Sequence, residues 1–295
     1  MTANKSAGTF VIQPRPVDIW GELWHAMAFT FTGTGSALYT YLVFLGVGEA
    51  RGYTIAEFLA IGLVFLGALI IFALELTYRS VFLRYFFVNI GQSWISRGVV
   101  ALFIFGILSV VSVLLGNFNP GTETLTRTLT IIAALAALVV IVYPSLLLST
   151  TSVPFWRSRL LPLEFLVSGG IGGLAIIVLL QGLRDVAISL DYVLIALGFL
   201  LAANLLLYLI HLTRIPIGTK RQTIELLTRG ELRSWFLMGF VVLGIGIPLA
   251  LVIVSYFLRE LDRSALVLAI SLLALIGVFS QRCWLLRAGI KPALL

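Results

Sequence analysis

Long apolar stretches separated by short polar breaks dominate the chain. A helix needs about 20 apolar residues to cross about 30 Å of hydrocarbon, because each residue rises about 1.5 Å. Eight stretches meet this requirement, and they run approximately over residues 20–48, 55–78, 97–116, 125–149, 161–183, 190–213, 234–258 and 264–286. We therefore predict an all-α polytopic membrane protein with about eight transmembrane helices in a single integral membrane domain, residues 1–295.

A Ser-Trp pair precedes a helix in each half of the chain, at Ser93-Trp94 and at Ser234-Trp235. The pairs are compatible with an arrangement of two four-helix bundles, although chance would also produce them.

The composition supports the membrane assignment. Hydrophobic residues make up 60% of the chain and charged residues 11%, with a mean hydropathy of +1.09. Soluble domains carry roughly a quarter charged residues, so this chain has too little charge to cover a surface facing water. The single cysteine, Cys283, excludes an internal disulfide and an iron–sulfur cluster ligated by this chain alone.

The basic residues are distributed unevenly between the two ends of the predicted bundle. An even number of spans places both termini on one side, which we call face A, together with the loops at 79–96, 150–160 and 214–233. Fifteen of the 20 basic residues fall there: Lys5, Arg15, Arg79, Arg84, Arg97, Arg157, Arg159, Arg214, Lys220, Arg221, Arg229, Arg233, Arg282, Arg287 and Lys291. The opposite side, face B, keeps five.

The positive-inside rule predicts from this bias a multi-pass protein of the cell inner (cytoplasmic) membrane with both termini cytoplasmic. The alternative is that the basic face A serves as a docking surface for a partner protein. The net charge of +7 does not indicate nucleic acid, because no polar segment combines basic residues with interleaved aromatics.

Scarce polar residues within the spans gather toward face A. Because polar groups are costly in a bilayer, their placement is the main functional signal. The residues concerned are His25, Glu75, Tyr143, Glu164, Asn204, His211 and Gln281. Alternatives exist for single members, such as an interfacial position for His25 and Tyr143, an ion pair with Arg79 for Glu75, and a favourable helix start for Glu164. Taken as a set, they predict one polar pocket near face A.

Other site types receive little support from the sequence. His25 and His211 are the only histidines, so one haem is geometrically possible and two bis-histidine haems are excluded. No HExxH motif, carboxylate cluster or nucleophile elbow is present. The glycine runs at 33–36 and 169–173 lie inside spans, where they permit close helix packing or form a groove for a flat ring or isoprenoid tail.

Two segments carry a resemblance to a known family. Residues 143–162 read Tyr-Pro-Ser-Leu-Leu-Leu-Ser-Thr-Thr-Ser-Val-Pro-Phe-Trp-Arg-Ser-Arg-Leu-Leu-Pro, and residues 89–98 read Asn-Ile-Gly-Gln-Ser-Trp-Ile-Ser-Arg-Gly. Both are similar to hallmark loops of the NrfD/PsrC (polysulfide reductase) membrane-subunit family. The chain length and span number resemble its short eight-helix members, which include the DMSO-reductase anchor subunits.

The resemblance implies a haem-free quinone/quinol-binding anchor subunit. Such a subunit passes electrons between the quinone pool, as menaquinone or ubiquinone, and a four-cluster ferredoxin-like iron–sulfur subunit. A molybdopterin catalytic subunit completes the oxidoreductase, and both partners would dock on the face of the termini. This chain would then hold no haem and no iron–sulfur cluster, and it would not be an enzyme alone.

The resemblance also assigns residue roles. Tyr143 would approach one quinone oxygen, with His25 as its partner near the start of the first helix. Glu22, Glu75 and Glu164 are candidates to pass protons to face A, since quinone chemistry moves protons with electrons. The pocket rim or partner-docking surface would comprise Trp94, Arg97, Trp156 and Arg157.

One departure from the family pattern affects the site. The family carries glycine two residues after the tyrosine, whereas this chain has Pro144-Ser145. Proline removes a backbone donor and favours a kink at the end of the helix. A secondary transporter and a purely structural anchor remain as alternatives, although transporters favour charged residues at the membrane midplane, where this chain has few. The face-B half of the predicted bundle lacks a series of ionisable groups, which predicts that protons are exchanged on face A alone.

Overall fold

Eight long helices form the fold among the residues that the computed structural model describes: 15–16, 23–45, 55–75, 93–119, 121–181, 189–257 and 264–291. They are α1 Leu23–Phe44, α2 Ile55–Glu75, α3 Trp94–Phe118, α4 Glu123–Ser149, α5 Leu161–Leu180, α6 Leu190–Thr213, α8 Ser234–Phe257 and α9 Ser264–Arg287; the short α7 spans Ile217–Thr228. The all-helical prediction is confirmed, and the helix bounds differ from the predicted spans by a few residues.

Seven of these helices are long and apolar enough to cross a membrane, so the protein is a multi-pass membrane protein. Helix α1 is the exception, because its four threonines, two glycines and one serine make it less apolar than the other seven. It is nevertheless 22 residues long, which corresponds to about 33 Å. Most of α1 is buried between other helices, so its polar residues are shielded from lipid.

The contacts between helices form two groups of four. In the first half, α1 packs on α2, α2 on α3, α3 on α4, and α4 returns to α1. In the second half, α5 contacts α6 and α9, while α8 contacts α6 and α9. Contacts of α1 and α4 with α5, and of α1 with α9, join the halves. This pattern agrees with the predicted arrangement of two four-helix bundles.

A two-residue antiparallel pairing brings the two ends of the described chain together. Strand β1, Arg15–Pro16, pairs with β2, Ile290–Lys291, so that Arg15 lies opposite Lys291. This pairing adds a minimal sheet to the all-helical prediction. It also places the two ends on the same side of the bundle, as an even number of spans requires.

The predicted break at 214–233 contains a short helix that the pattern of long apolar stretches does not predict. Helix α7 is 12 residues long and mostly polar, so it is too short and too hydrophilic to span a bilayer. Its buried residues are Thr219, Thr223 and Leu227, and it packs against β2 and the start of α8. On its exposed side, Glu225 pairs with Arg221 at 2.9 Å and raises the pKa of that guanidinium.

Two prolines modify helices without ending them. Helix α4 continues through Pro144 to Ser149, so the proline after Tyr143 does not terminate the helix. Helix α8 has wide π-helical turns over Ser234–Gly246 and becomes α-helical over Ile247–Phe257, where Pro248 lies.

Gly244 of α8 lies against Gly277 of α9, and the absence of side chains allows this close approach.

Candidate functional site

A buried carboxylate and a buried imidazole form a short polar contact in the bundle. Glu164 lies in the first turn of α5, where the helix N-terminus favours a negative charge, and His211 lies in the last turn of α6. His211 Nδ1 is 2.6 Å from Glu164 Oε1, and both side chains are almost fully buried. The backbone carbonyl of Phe155 lies 2.9 Å from His211 Nε2. Three elements therefore meet at this imidazole: α5, α6 and the loop between α4 and α5.

Amide and phenol groups continue the polar network deeper into the bundle. Gln281 Nε2 donates to the Tyr208 hydroxyl at 2.6 Å, and Asn204 Nδ2 donates to Gln281 Oε1 at 3.1 Å. Tyr208 lies within electrostatic reach of both Glu164 and Arg282. The spacing of Asn204, Tyr208 and His211 places all three on one face of α6, three or four residues apart.

A buried arginine completes this cluster. Arg282 of α9 is 1% exposed and donates through Nη2 to Ser168 Oγ at 2.6 Å. Its guanidinium carbon lies 3.6 Å from the centre of the Phe165 ring, which gives a cation–π contact. Among the described residues it forms no ion pair with a carboxylate within 4.0 Å. Glu164 is the acidic group that acts on it electrostatically.

Aromatic rings surround the network and separate it from lipid. Phe155 stacks on the His211 imidazole at 4.8 Å between ring centres, and Trp284 packs on Tyr208 at 5.1 Å. Phe236 and Phe240 pack on the same tryptophan. Charges interact more strongly in such an apolar setting than in water. A change in the protonation state of one enclosed group therefore strongly affects its neighbours.

Tyr143 occupies a second buried position, on α4. It is 4% exposed, and its ring packs directly on the backbone of Gly98 in α3. A methyl group at residue 98 would overlap the ring, so glycine is required for this approach. The two segments that carry the family resemblance, one around Tyr143 and one ending at Gly98, are therefore in contact.

His25 is buried near the start of α1, two residues after the helix begins. Helix α1 packs on both α4 and α5, so His25 and Tyr143 lie on neighbouring helices. Of the three predicted proton-transfer acids, Glu164 is the one whose side chain the structure describes. Glu22 lies outside the described residues, and Glu75 is described only as the last residue of α2.

Comparison with protein families decides the family of the chain. The family model described as polysulfide reductase, of the NrfD type, matches residues 13–294. The chain belongs to the polysulfide reductase (NrfD) family. No curated protein matches it at a significant level.

The four residues predicted for the rim or docking surface of this NrfD-family chain differ in their surroundings. Arg97 is exposed and lies over the Trp94 ring, 4.5 Å from its centre, and Arg157 is exposed in the loop between α4 and α5. Trp156 is 1% exposed, and its indole donates to the Leu285 carbonyl at 2.9 Å. Trp156 thus fastens the loop to α9, whereas the other three remain candidates for a docking surface.

Two members of the buried network, Tyr208 and Arg282, were not predicted from the sequence. Arg282 was instead counted among the basic residues of face A. The structure buries Arg282 inside α9, ahead of the apolar residues Cys283–Leu286. Those residues were the available signal, since they place Arg282 more than one turn before the helix ends at Arg287. Tyr208 gave no comparable signal, because an aromatic residue near a helix end also fits the membrane interface.

The surroundings of His211 do not fit a haem ligand. Both nitrogens of His211 lie at hydrogen-bonding distance from Glu164 and Phe155, so this imidazole has no nitrogen left for iron. Within the described part of the chain no group of three or more metal-binding side chains occurs.

A groove of about 340 Å³ between α6 and α8 lies near Asp191 at the face-B end, far from the network, and is lined mainly by apolar side chains.

Proposed function

We propose that this chain is the quinone-reactive membrane subunit of a multi-subunit molybdenum and iron–sulfur oxidoreductase. It would pass electrons between menaquinone or ubiquinone and a four-cluster ferredoxin-like iron–sulfur subunit docked on face A. Membership of the NrfD family supports a membrane subunit of a redox complex. The observation that carries the proposal further is the enclosed acid–imidazole–phenol network at the face-A end of α5, α6 and α9.

Two buried residues on adjacent helices support a quinone site. A quinone site requires apolar walls and hydrogen-bonding groups that can meet two ring oxygens. Tyr143 and His25 are both buried and lie on the adjacent helices α4 and α1. Tyr143 lies six residues before the end of α4, about 9 Å from that end, so its phenol is within the bundle but near face A. When bound, a quinone supplies two-electron chemistry that is coupled to two protons.

The protein groups would bind, orient and exchange protons. The Tyr143 phenol would donate to one ring oxygen, and the His25 imidazole would hydrogen-bond to the other. The Gly98 surface would hold the Tyr143 ring at a fixed angle. Face A would receive the iron–sulfur partner, whose acidic or polar surface would meet exposed cations such as Arg97 and Arg157.

Two substitutions in the assembled complex test this proposal. Tyr143→Phe and His25→Ala are each expected to lower quinol-dependent turnover at least about tenfold, because each removes a hydrogen bond to a reacting oxygen. Activity measured with an artificial electron donor that reacts at the catalytic subunit should stay unchanged. The measurement is steady-state turnover with a soluble quinol analogue.

Tyr192→Phe is the matched control, because Tyr192 is 75% exposed on α6 near face B. It should behave as the native protein. Normal quinol turnover and normal KM in both Tyr143→Phe and His25→Ala would show that the quinone site is misplaced and would favour a purely structural anchor.

A further inference from the structure

The hydrogen bonds of His211 fix which of its nitrogens carries hydrogen. A backbone carbonyl can only accept a hydrogen bond, so the contact with the Phe155 carbonyl at 2.9 Å requires a proton on Nε2. Nδ1 then faces Glu164 Oε1 at 2.6 Å. If both atoms lacked a proton, a lone pair would face a carboxylate at this distance. A proton must therefore lie between them.

The pair consequently holds one shared proton. Either Glu164 is a neutral acid that donates to a neutral imidazole, or it is a carboxylate that accepts from an imidazolium. The net charge of the pair is zero in both forms, which allows it to be buried without the full cost of an isolated ion. Moving the proton between Nδ1 and Oε1 requires little displacement of heavy atoms.

Arg282 brings a positive charge into the same buried cluster as the pair. An arginine is always protonated, so its buried guanidinium brings one positive charge into the cluster. While the Glu164–His211 pair is neutral, this cation is not compensated by a carboxylate in direct contact. Loss of the shared proton would leave Glu164 as a carboxylate, and the cluster charge would fall from plus one to zero. Arg282 therefore makes release of that proton electrostatically acceptable in the apolar core.

Unpartnered polar atoms border the same groups. Glu164 Oε2, Asn204 Oδ1 and two guanidinium nitrogens of Arg282, Nε and Nη1, are buried without a hydrogen-bond partner. Buried polar groups usually satisfy one another or bind internal water, typically through about three hydrogen bonds for each water. These atoms therefore offer positions for water that would connect the pair to the rest of the bundle.

We propose that Glu164 and His211 act as a relay that carries one proton at a time. Arg282 compensates the charge of the relay, and internal water binds beside it as the ligand that connects it to the rest of the bundle. The inference rests on the proposed function. Quinol oxidation releases two electrons and two protons; the electrons pass to the iron–sulfur partner, and the protons pass one at a time. The pair first releases its shared proton to water at face A, and then accepts the next proton from the quinone site. Quinone reduction runs the same transfers in reverse.

The loop between α4 and α5 provides the route by which protons leave the relay. Phe155, whose carbonyl bonds to His211, belongs to this loop, and Arg157 and Arg159 of the same loop are exposed. The relay thus lies directly beneath a segment that reaches the surface. Phe155 acts as a positioning residue, because its carbonyl selects the tautomer and its ring stacks on the imidazole.

The first test reads the proton directly and does not require a quinone. The chain has only two histidines, so nitrogen-15 histidine labelling of the full chain in lipid nanodiscs gives two sets of ring signals, and His25→Gln identifies those of His211. We expect solid-state magnetic resonance to show a protonated Nε2 and an Nδ1 signal that changes in Glu164→Gln. An unprotonated Nε2, or an Nδ1 signal indifferent to Glu164→Gln, would overturn the relay.

The second test reads function in the assembled complex. Glu164→Gln keeps the size and can donate to Nδ1, but it cannot transfer a proton. We expect the kcat with quinol to fall about tenfold or more while the KM for quinol stays unchanged. The solvent deuterium isotope effect on kcat should also rise, because proton transfer becomes limiting. Glu231→Gln is the control, since Glu231 is an exposed acid on the same side.

The two proposals fail in distinguishable ways. If Glu164→Gln leaves kcat and the isotope effect unchanged while Tyr143→Phe and His25→Ala abolish quinol turnover, the relay is wrong and the quinone site stands. If Glu164→Gln lowers kcat while both other variants turn over normally, the relay stands and the proposed quinone residues are wrong.

Discussion

The contact between Gly98 and Tyr143 shows how a single missing side chain can position a functional group. The Tyr143 ring lies on the α3 backbone, and any Cβ at residue 98 would overlap with it. Since Tyr143 is buried, its ring has little space into which it could retreat. The geometry of the phenol is therefore coupled to the identity of residue 98.

Gly98→Ala should displace the Tyr143 ring and raise the KM for quinol. We expect the variant to be destabilised by about 1–3 kcal/mol, which is typical of overpacking a closed site. Quinol kinetics and thermal unfolding of the purified complex are the measurements. Gly62→Ala is the matched control, because a Cβ built on Gly62 of α2 meets nothing within 4 Å. An unchanged KM in Gly98→Ala would show that quinone binding does not depend on the position of the Tyr143 ring.

Some residues of the site could be predicted from the sequence, and others could not. Glu164, His211, Asn204 and Gln281 attract notice because polar groups are rare in these spans. Arg282 did not, because a basic residue near a helix end usually snorkels to the interface. Its burial depends on Ser168 and Phe165 of α5, which lie more than 100 positions away in the chain. Single-helix reasoning cannot supply such partners.

At the scale of elements, hydropathy predicted the long helices and failed where the lipid does not set the pattern. The thickness of the bilayer imposes length and apolarity on a spanning helix, so these helices can be recognised directly. Helix α7 is 12 residues long, mostly polar and exposed on one side, so no such rule applies to it. The π-helical turns of α8 lie in the segment that packs against Ser280 and Gly277 of α9, and hydropathy encodes neither feature.

The loop between α4 and α5 is held in place by Trp156. Its indole donates to the Leu285 carbonyl at 2.9 Å, and its ring packs on Gly289. Trp156→Phe should remove a buried hydrogen bond worth about 1 kcal/mol and leave unfilled volume. We expect faster tryptic cleavage at the exposed Arg157 and Arg159, measured by mass spectrometry on the full chain in lipid nanodiscs without partner subunits.

Trp24→Phe is the control for this experiment, because Trp24 is 54% exposed at the start of α1. Cleavage at Arg157 and Arg159 as slow as in the native protein would mean that Trp156 does not restrain the loop. The loop also supplies the carbonyl that bonds to His211, so a loosened loop should lower quinol turnover as well.

At the scale of the whole molecule, the buried histidines and the buried arginine among the described residues lie toward one end of the bundle. The acid–imidazole pair, Tyr208 and Arg282 lie together toward the face-A end, where β1 and β2 pair. The other buried acid among the described residues is Glu57, in the first turn of α2 toward face B. Between these positions, the described spans show no series of buried acids or histidines that would carry protons across the membrane.

This asymmetry leads to a prediction about energy coupling. A pump requires a chain of proton-exchanging groups from one side to the other, whereas the relay described above opens only to face A. In sealed vesicles that contain the complex in one orientation, quinol oxidation should therefore release protons on the face-A side alone. A membrane-impermeant pH indicator outside the vesicles and another inside measure the two sides separately.

Glu164→Gln should slow proton release in proportion to turnover and leave unchanged the side on which the protons appear. Proton release on the face-B side during turnover would contradict the prediction and would require a second route, for which Glu57 is the first residue to substitute.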